Sequence, residues 1–265
     1  MKIGVMNNPS KSIYDEAANC GKAGYDFFDL TIEGPKASTV DIPRLQSILD
    51  AYGLSFTGHT DPCLPYAYPI QGVRDACLKE LERCAGIFSA LKARVMNIHP
   101  CYYCPPSMKG DLLAFNIESL KPIVEMAASY DLTVVFENYK SPFDRVAAFK
   151  SLLTAVPGLS LHLDFGHTNF GRDGFEVFCR DLGEHIQHVH FSDNRGRSDD
   201  HMPLGVGTVN WKKAVDSLKA TGFDGTITLE VFCNDLDMQY NYLDMSRKMA
   251  RGLWDESQAL CKGGM

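Results

Sequence analysis

A chain of 265 residues, 45% hydrophobic and 22% charged, has the make-up of one ordinary globular domain with a sizeable core. Its formal net charge of -7 offers no broad basic field for gripping nucleic acid, so a polynucleotide partner is disfavoured. No apolar run approaches the roughly 18 residues of a membrane span, and Met1–Pro9 carries no apolar stretch of signal-peptide length. The nine cysteines are scattered and odd in number, which fits reduced thiols in the cytoplasm.

In chain order, β-rich runs alternate with longer segments of helical spacing. The runs are Lys2–Met6, Tyr25–Ile32, Leu54–His59, Arg94–His99, Leu132–Glu137, Leu159–Asp164, Ile186–Phe191 and Thr226–Val231. Between them, Arg74–Leu91 places Leu78, Leu81 and Ile87 near a 3.6-residue period; Ser119–Ala128 and Trp211–Ala220 behave alike, and Asp237–Gln258 supplies a closing helix. Gly24, Gly53, Gly158 and Gly222 each fall between a helix and the next strand, where a glycine can take positive φ. Such alternation predicts a parallel sheet, either open and doubly wound or closed. Eight βα units with polar residues at most strand ends favour closure, so the expected fold class is α/β, a single (β/α)8 TIM barrel, which needs roughly 250 residues. No linker or charge block divides residues 1–265, which predicts one domain.

A parallel barrel places its chemistry at the C-terminal ends of its strands. There the sequence sets Glu137, Asp164, His190 and Glu230, at the ends of runs five to eight, a carboxylate and imidazole set suited to Mn²⁺, Co²⁺, Mg²⁺ or Zn²⁺. Asp164-Phe-Gly-His167 and Asp199-Asp200-His201 each add a carboxylate and an imidazole on a rim loop, enough for a second ion. His59 and His99, ending runs three and four, reach a third ion or act as acid–base groups. Any one of these residues is as readily a structural histidine or a helix-capping carboxylate. Convergence of so many on one rim weakens that bland reading. His162, His185 and His188 receive no ligand role; His162 and His188 read as barrel-interior or helix-facing polar residues. Cys101-Tyr-Tyr-Cys104 lacks a matching second pair and reads as reduced thiols beside the mouth.

On these residues the chain resembles the xylose isomerase-like TIM barrels, the superfamily of sugar isomerases, sugar-phosphate epimerases and endonuclease IV-type nucleases. The motifs are Gly58-His59-Thr60-Asp61-Pro62, Asn97-Ile98-His99-Pro100, Phe136-Glu137-Asn138, Leu163-Asp164-Phe165-Gly166-His167, His188-Val189-His190-Phe191-Ser192-Asp193, Asp199-Asp200-His201-Met202-Pro203-Leu204-Gly205 and Leu229-Glu230-Val231. The resemblance implies that Glu137, Asp164, His190 and Glu230 form the metal site shared by epimerase-like members. It also implies that His59, His99, His167, Asp199 and His201 take the additional ligand positions of the three-zinc nucleases, giving one to three divalent ions (Zn²⁺, or Mn²⁺/Co²⁺) per chain. After run five the chain departs from ketose epimerases: Glu137-Asn138-Tyr139-Lys140-Ser141-Pro142-Phe143 lacks their Arg-x-Glu substrate motif.

Two chemistries follow. The leading one is isomerisation or epimerisation of a sugar or sugar phosphate, in which an ion polarises a carbonyl and Glu137 and Glu230 move the proton. The alternative is phosphoester hydrolysis by a zinc cluster acting on a small phosphorylated sugar or abasic-site DNA. A non-catalytic binding barrel is the third class, disfavoured because no ligand position is degraded. Glu33, Lys140 and Arg195 are the substrate-facing candidates, although solvated loop charge is the plainer reading of Lys140, Arg195 and Arg197. Gly205-Val206-Gly207 reads as a turn, Trp211 as packing of the seventh helical segment, and Asp61 as an orienter of a nearby imidazole. Barrels of this class often form homo-oligomers, and no patch in the sequence argues for or against one.

Overall fold

The computed structural model describes residues 1–34, 36–233 and 235–257. Eight parallel strands close into a barrel in chain order: β1 (Lys2–Met6), β2 (Phe27–Ile32), β3 (Ser55–Thr60), β4 (Val95–Ile98), β5 (Thr133–Glu137), β6 (Ser160–Asp164), β7 (Ile186–Phe191) and β8 (Thr226–Leu229). β1 bonds to both β2 and β8, which shuts the sheet and leaves no edge. The expected (β/α)8 barrel is therefore the observed fold. Among the described residues, no helix is long and apolar enough to cross a membrane.

β1 and β7 span the residues expected from the sequence, and the other strands move by one or two. β2 starts later because Tyr25 still serves the preceding turn, its amide donating to the Cys20 carbonyl at 3.3 Å. β4 is shorter, so His99 opens the following loop. The helix expected over 119–128 begins at Leu112 and runs to Ala128, with Asn116 and Ser119 on its buried side. Those polar residues break the apolar period that a sequence reading follows. The last helix runs Leu236–Glu256, and Gln258 lies outside the described residues. Gly24, Gly53, Gly158 and Gly222 all have φ between 64° and 89°, as their positions at helix ends require.

Period-two alternation sorts each strand. Outward residues such as Ile3, Val5, Leu30, Met96, Val134, Leu161, Val189 and Ile227 are fully or nearly buried under the helices and form the main core. Inward positions hold an unusually polar set: Asp29, Thr57, Asn97, His162, His188 and Thr228, all buried, lie one step below the mouth. Gly58 shows how tightly helix and sheet meet. A Cβ there would sit 2.3 Å from the ring of Phe88, a fully buried residue of the helix Gln71–Ala90. Gly58→Ala should cost about 1–3 kcal/mol by overpacking, read as a lower urea midpoint with unchanged slope. A midpoint equal to that of the parent would show that the ring yields freely.

Candidate metal centre

Strand parity delivers the site. Glu137, Asp164 and His190 are inward residues of β5, β6 and β7, and Glu230 follows β8, its amide still donating to the Phe191 carbonyl at 3.2 Å. One ligand atom from each of the four lies within 4.8 Å of the others, and all four side chains are buried. His190 Nδ1 sits 3.1 Å from Glu230 Oε2, 3.8 Å from Asp164 Oδ2 and 4.0 Å from Glu137 Oε1. On one flank, His99 Nε2 is 3.1 Å and His59 Nε2 3.8 Å from Glu137 Oε2, making a second group. On the other flank, His167 Nε2 lies 2.9 Å from Asp199 Oδ2, and His201 Nε2 lies 3.1 Å from Asp199 Oδ1 and 3.5 Å from Glu230 Oε2. The nine predicted positions thus gather at one mouth.

Amides and carbonyls fix these side chains from behind. Asn97 Nδ2 donates to Glu137 Oε2 at 2.8 Å, while its Oδ1 meets His162 Nδ1 at 2.8 Å. Asn138 clamps β6: its Oδ1 accepts the Asp164 amide and its carbonyl accepts His167 Nδ1, each at 2.7 Å. With Nδ1 donating to a carbonyl, His167 turns its Nε2 toward Asp199, the orientation of a ligating imidazole. Tyr66 ties the start of the β4 loop by donating to the His99 carbonyl at 2.9 Å.

The loop that carries Asp199 and His201 is organised by Asp193. Its carboxylate accepts the amides of Asn194, Gly205 and Val209 and the indole N–H of Trp211, at 2.9–3.1 Å. An antiparallel bridge to Met202 closes the loop base. Gly207 is required there, because a Cβ would fall 2.2 Å from Asp193 Oδ1 and from the Asn194 carbonyl. Gly205-Val206-Gly207 is thus a turn pressed on Asp193, and the indole of Trp211 packs against Phe191 with ring centroids 4.9 Å apart and planes tilted by 53°.

Burial pushes Glu137 up to about 8 against the attraction of His190 and His167, and raises Asp164 to about 6. Burial also opposes ionisation of Glu230, but His201 and His190 outweigh it and hold that carboxyl below its usual range. His201 rises to about 9 because Glu230 and Asp199 overcome its desolvation. His59 sinks to about 4, chiefly through burial. Glu137 Oε1 and Asp164 Oδ2 are buried without a hydrogen bond. Orphaned carboxylate oxygens aimed at one point, beside imidazoles, fit a divalent cation.

The sequence profile of the xylose isomerase-like TIM barrels matches residues 17–260. The chain belongs to that family. An uncharacterised protein of Methanocaldococcus jannaschii is 26% identical over 254 residues, covering 87% of this chain and 83% of its own. Fructoselysine 3-epimerase of Escherichia coli O157:H7 is 21% identical over 279 residues, covering 97% and 100%. The crystal structure of a D-tagatose 3-epimerase-like protein superposes with a TM-score of 0.80 at 24% identity, over 95% of this chain and 99% of the other, and so shares its fold.

In this family member the mouth opens into a cleft of about 600 Å³, within the usual range for small-molecule sites. Its floor includes His59, His99, His167, Asp199, His201 and Glu230; Glu33 and Thr31 line one side, and Tyr102, Tyr103, Tyr139 and Phe232 supply aromatic wall. Of the three substrate-facing candidates, only Glu33 lines it. Lys140 is exposed with its ammonium 4.5 Å from the Tyr139 ring centre, and Arg195 lies on the exposed part of the β7 loop. Cys101 and Cys104 are free thiols, and neither lines the cleft.

Sequence reasoning assigned no role to Asp29, a fully buried residue beside His188 and His190. Its signal was present: Asp29 shares parity with Thr31 and Glu33 inside an apolar run. The same parity pairs His162 with Asp164 and His188 with His190, which makes both extra histidines barrel-interior rather than helix-facing.

The charge pattern fixes a pH response for the cation-free protein. Glu137 (4.5 in the unfolded chain, about 8 folded) and His201 (6.5 and about 9) both hold a proton more tightly when folded. Their contribution to stability is complete below the unfolded values and is lost as pH rises through the folded ones. His59, with His99, His162 and His188, is lowered on folding and opposes this slope until the unfolded imidazoles have lost their protons, about one pH unit above 6.5. The Tm of chelator-stripped protein should therefore fall from about pH 7.5 to 9, and excess Mn²⁺ should flatten the decline. A flat or rising profile without metal would contradict the assigned charges.

Proposed function

We propose that this chain is a divalent-metal-dependent epimerase or isomerase acting on an unphosphorylated sugar, with Glu137 and Glu230 as the proton-transferring pair. The observation that carries the reading is the placement of two buried carboxylates, from β5 and the end of β8, on either side of His190 Nδ1 at 4.0 and 3.1 Å. Glu137, Asp164, His190 and Glu230 would hold the cation, which supplies positive charge that polarises a substrate carbonyl and acidifies the neighbouring C–H. One glutamate takes the proton from that carbon and the other returns it from the opposite side, which inverts the centre. Desolvation makes Glu137 the stronger base. His59 and His99 on one flank and His201 on the other hold substrate hydroxyls, and the aromatic wall covers the C–H face and excludes water.

The substrate class follows from charge. Among the described residues, none that lines the cleft is Lys or Arg, whereas Glu33, Asp199 and Glu230 all line it. A phosphate dianion would meet these carboxylates with no Lys or Arg to receive it, and the His201 imidazole is already paired with Asp199 and Glu230. Names of the relatives, fructoselysine 3-epimerase and D-tagatose 3-epimerase-like protein, are those of sugar epimerases and support the reading.

Phosphoester hydrolysis is the second reading, favoured by the two flanking groups, His59 with His99 and His167 with Asp199 and His201, which could hold two further ions.

Mn²⁺- or Co²⁺-loaded protein incubated with free ketoses in D₂O should incorporate deuterium at one carbon and yield the epimer or isomer by NMR. Glu137→Gln and Glu230→Gln should each lower the exchange rate by about 10²-fold or more, with bound metal measured in parallel. Phosphate release from a sugar phosphate or cleavage of abasic-site DNA, with no exchange into any ketose, would replace this reading with the hydrolase.

A further inference from the structure

Below the mouth lies a second polar layer that the proposed chemistry does not use. Asp29 of β2 reaches past β1 to β7 and β8; the inward position of β1 one step below it is Gly4, whose missing side chain leaves room for the Phe27 ring. Asp29 Oδ2 accepts the Thr228 hydroxyl at 2.6 Å and lies 3.3 Å from His188 Nε2 and 3.5 Å from His190 Nε2. His188 is itself held from below, its Nδ1 2.6 Å from the Thr226 hydroxyl, and the Phe27 ring closes the layer edge-on at 6.3 Å. Asp29, His188, His190 and Thr228 are all fully buried, so no bulk water competes for these contacts.

We infer that Asp29 is a positioning residue for the metal centre: its carboxylate, 3.5 Å from a His190 Nε2 that has no hydrogen-bond partner among the described residues, draws the ring proton to that nitrogen and so leaves Nδ1, which faces Glu137, Asp164 and Glu230, as the lone pair available to a cation. This rests on the metal reading above and extends it to a residue outside the ligand set. A buried carboxylate behind a ligating imidazole fixes both the tautomer and the plane of the ring, and raises its basicity. Thr228 and His188 keep the Asp29 carboxylate in place, so the pull on His190 comes from one preset direction. A ring free to rotate would present either nitrogen, or neither, to the other three ligands.

The test is Mn²⁺ affinity of chelator-stripped protein, measured by calorimetry on chains whose fold is checked by circular dichroism and cooperative melting. Asp29→Asn should weaken binding by about 10- to 100-fold; Thr228→Val, which removes only the hydroxyl that orients Asp29, should weaken it less and in the same direction. A folded Asp29→Asn protein that binds Mn²⁺ within twofold of the parent overturns the inference and leaves the proposed function standing. A parent that binds no Mn²⁺ overturns the metal reading itself. Should Asp29→Asn fail to fold, long-range ¹H–¹⁵N spectra of the Zn²⁺-loaded parent decide the matter. The His190 proton is expected on Nε2, and a proton on Nδ1 overturns the inference.

Discussion

Crowding of buried carboxylates is the constraint on which the structure turns. Glu137, Asp164 and Glu230 bring oxygen atoms within 4.8 Å of one another, the first two out of reach of solvent and Glu230 only at the cleft floor. At an effective dielectric of about 20, each such pair of ionised groups repels by roughly 3–4 kcal/mol, and three pairs approach the whole stability of an ordinary domain. Neutralisation is compulsory. The chain supplies part of it through His190, His167 and His201, whose imidazoles the carboxylates draw toward the charged form. A divalent cation at this point would supply the rest and satisfy the oxygens that lack hydrogen bonds.

The barrel makes that crowding structurally sustainable. Closure leaves every strand with two neighbours, and the outward faces bury an apolar core between sheet and helices. Stability is thereby concentrated outside the barrel wall, and the inside is free to hold polar residues. Where many barrels fill their interior with branched aliphatic side chains, this one stacks Asp29, Asn97, His162, His188 and Thr228 beneath the mouth. The inner layer acts as scaffolding: Asn97 grips Glu137, and Asn138 grips both Asp164 and His167.

Much of this was legible before any coordinates. Eight apolar runs, six of them with a His, Asp or Glu at the last or next-to-last position, announced the barrel and its active rim, because period-two strands and parallel closure leave few other arrangements. The helix starting at Leu112 was less legible, since Asn116 spends a core-facing position on pinning Cys101 rather than on apolar contact. Asp29 escaped for a related reason. Residues 199 positions apart meet when Asp29 receives the Thr228 hydroxyl, and no local pattern announces a contact made across the inside of a closed barrel. Lys140 and Arg195 stood close in sequence to rim residues, yet neither lines the cleft: Lys140 is exposed with its ammonium 4.5 Å from the ring centre of Tyr139, and Arg195 is exposed on the β7 loop.

The central claim is that strands β5 to β8 jointly clasp one cation. Anomalous diffraction from a crystal soaked in Mn²⁺ tests it most directly. The strongest peak should lie among Glu137, Asp164, His190 and Glu230, with oxygen or nitrogen of all four in its coordination sphere. No peak at that point, or a principal peak held by other residues alone, would contradict the account.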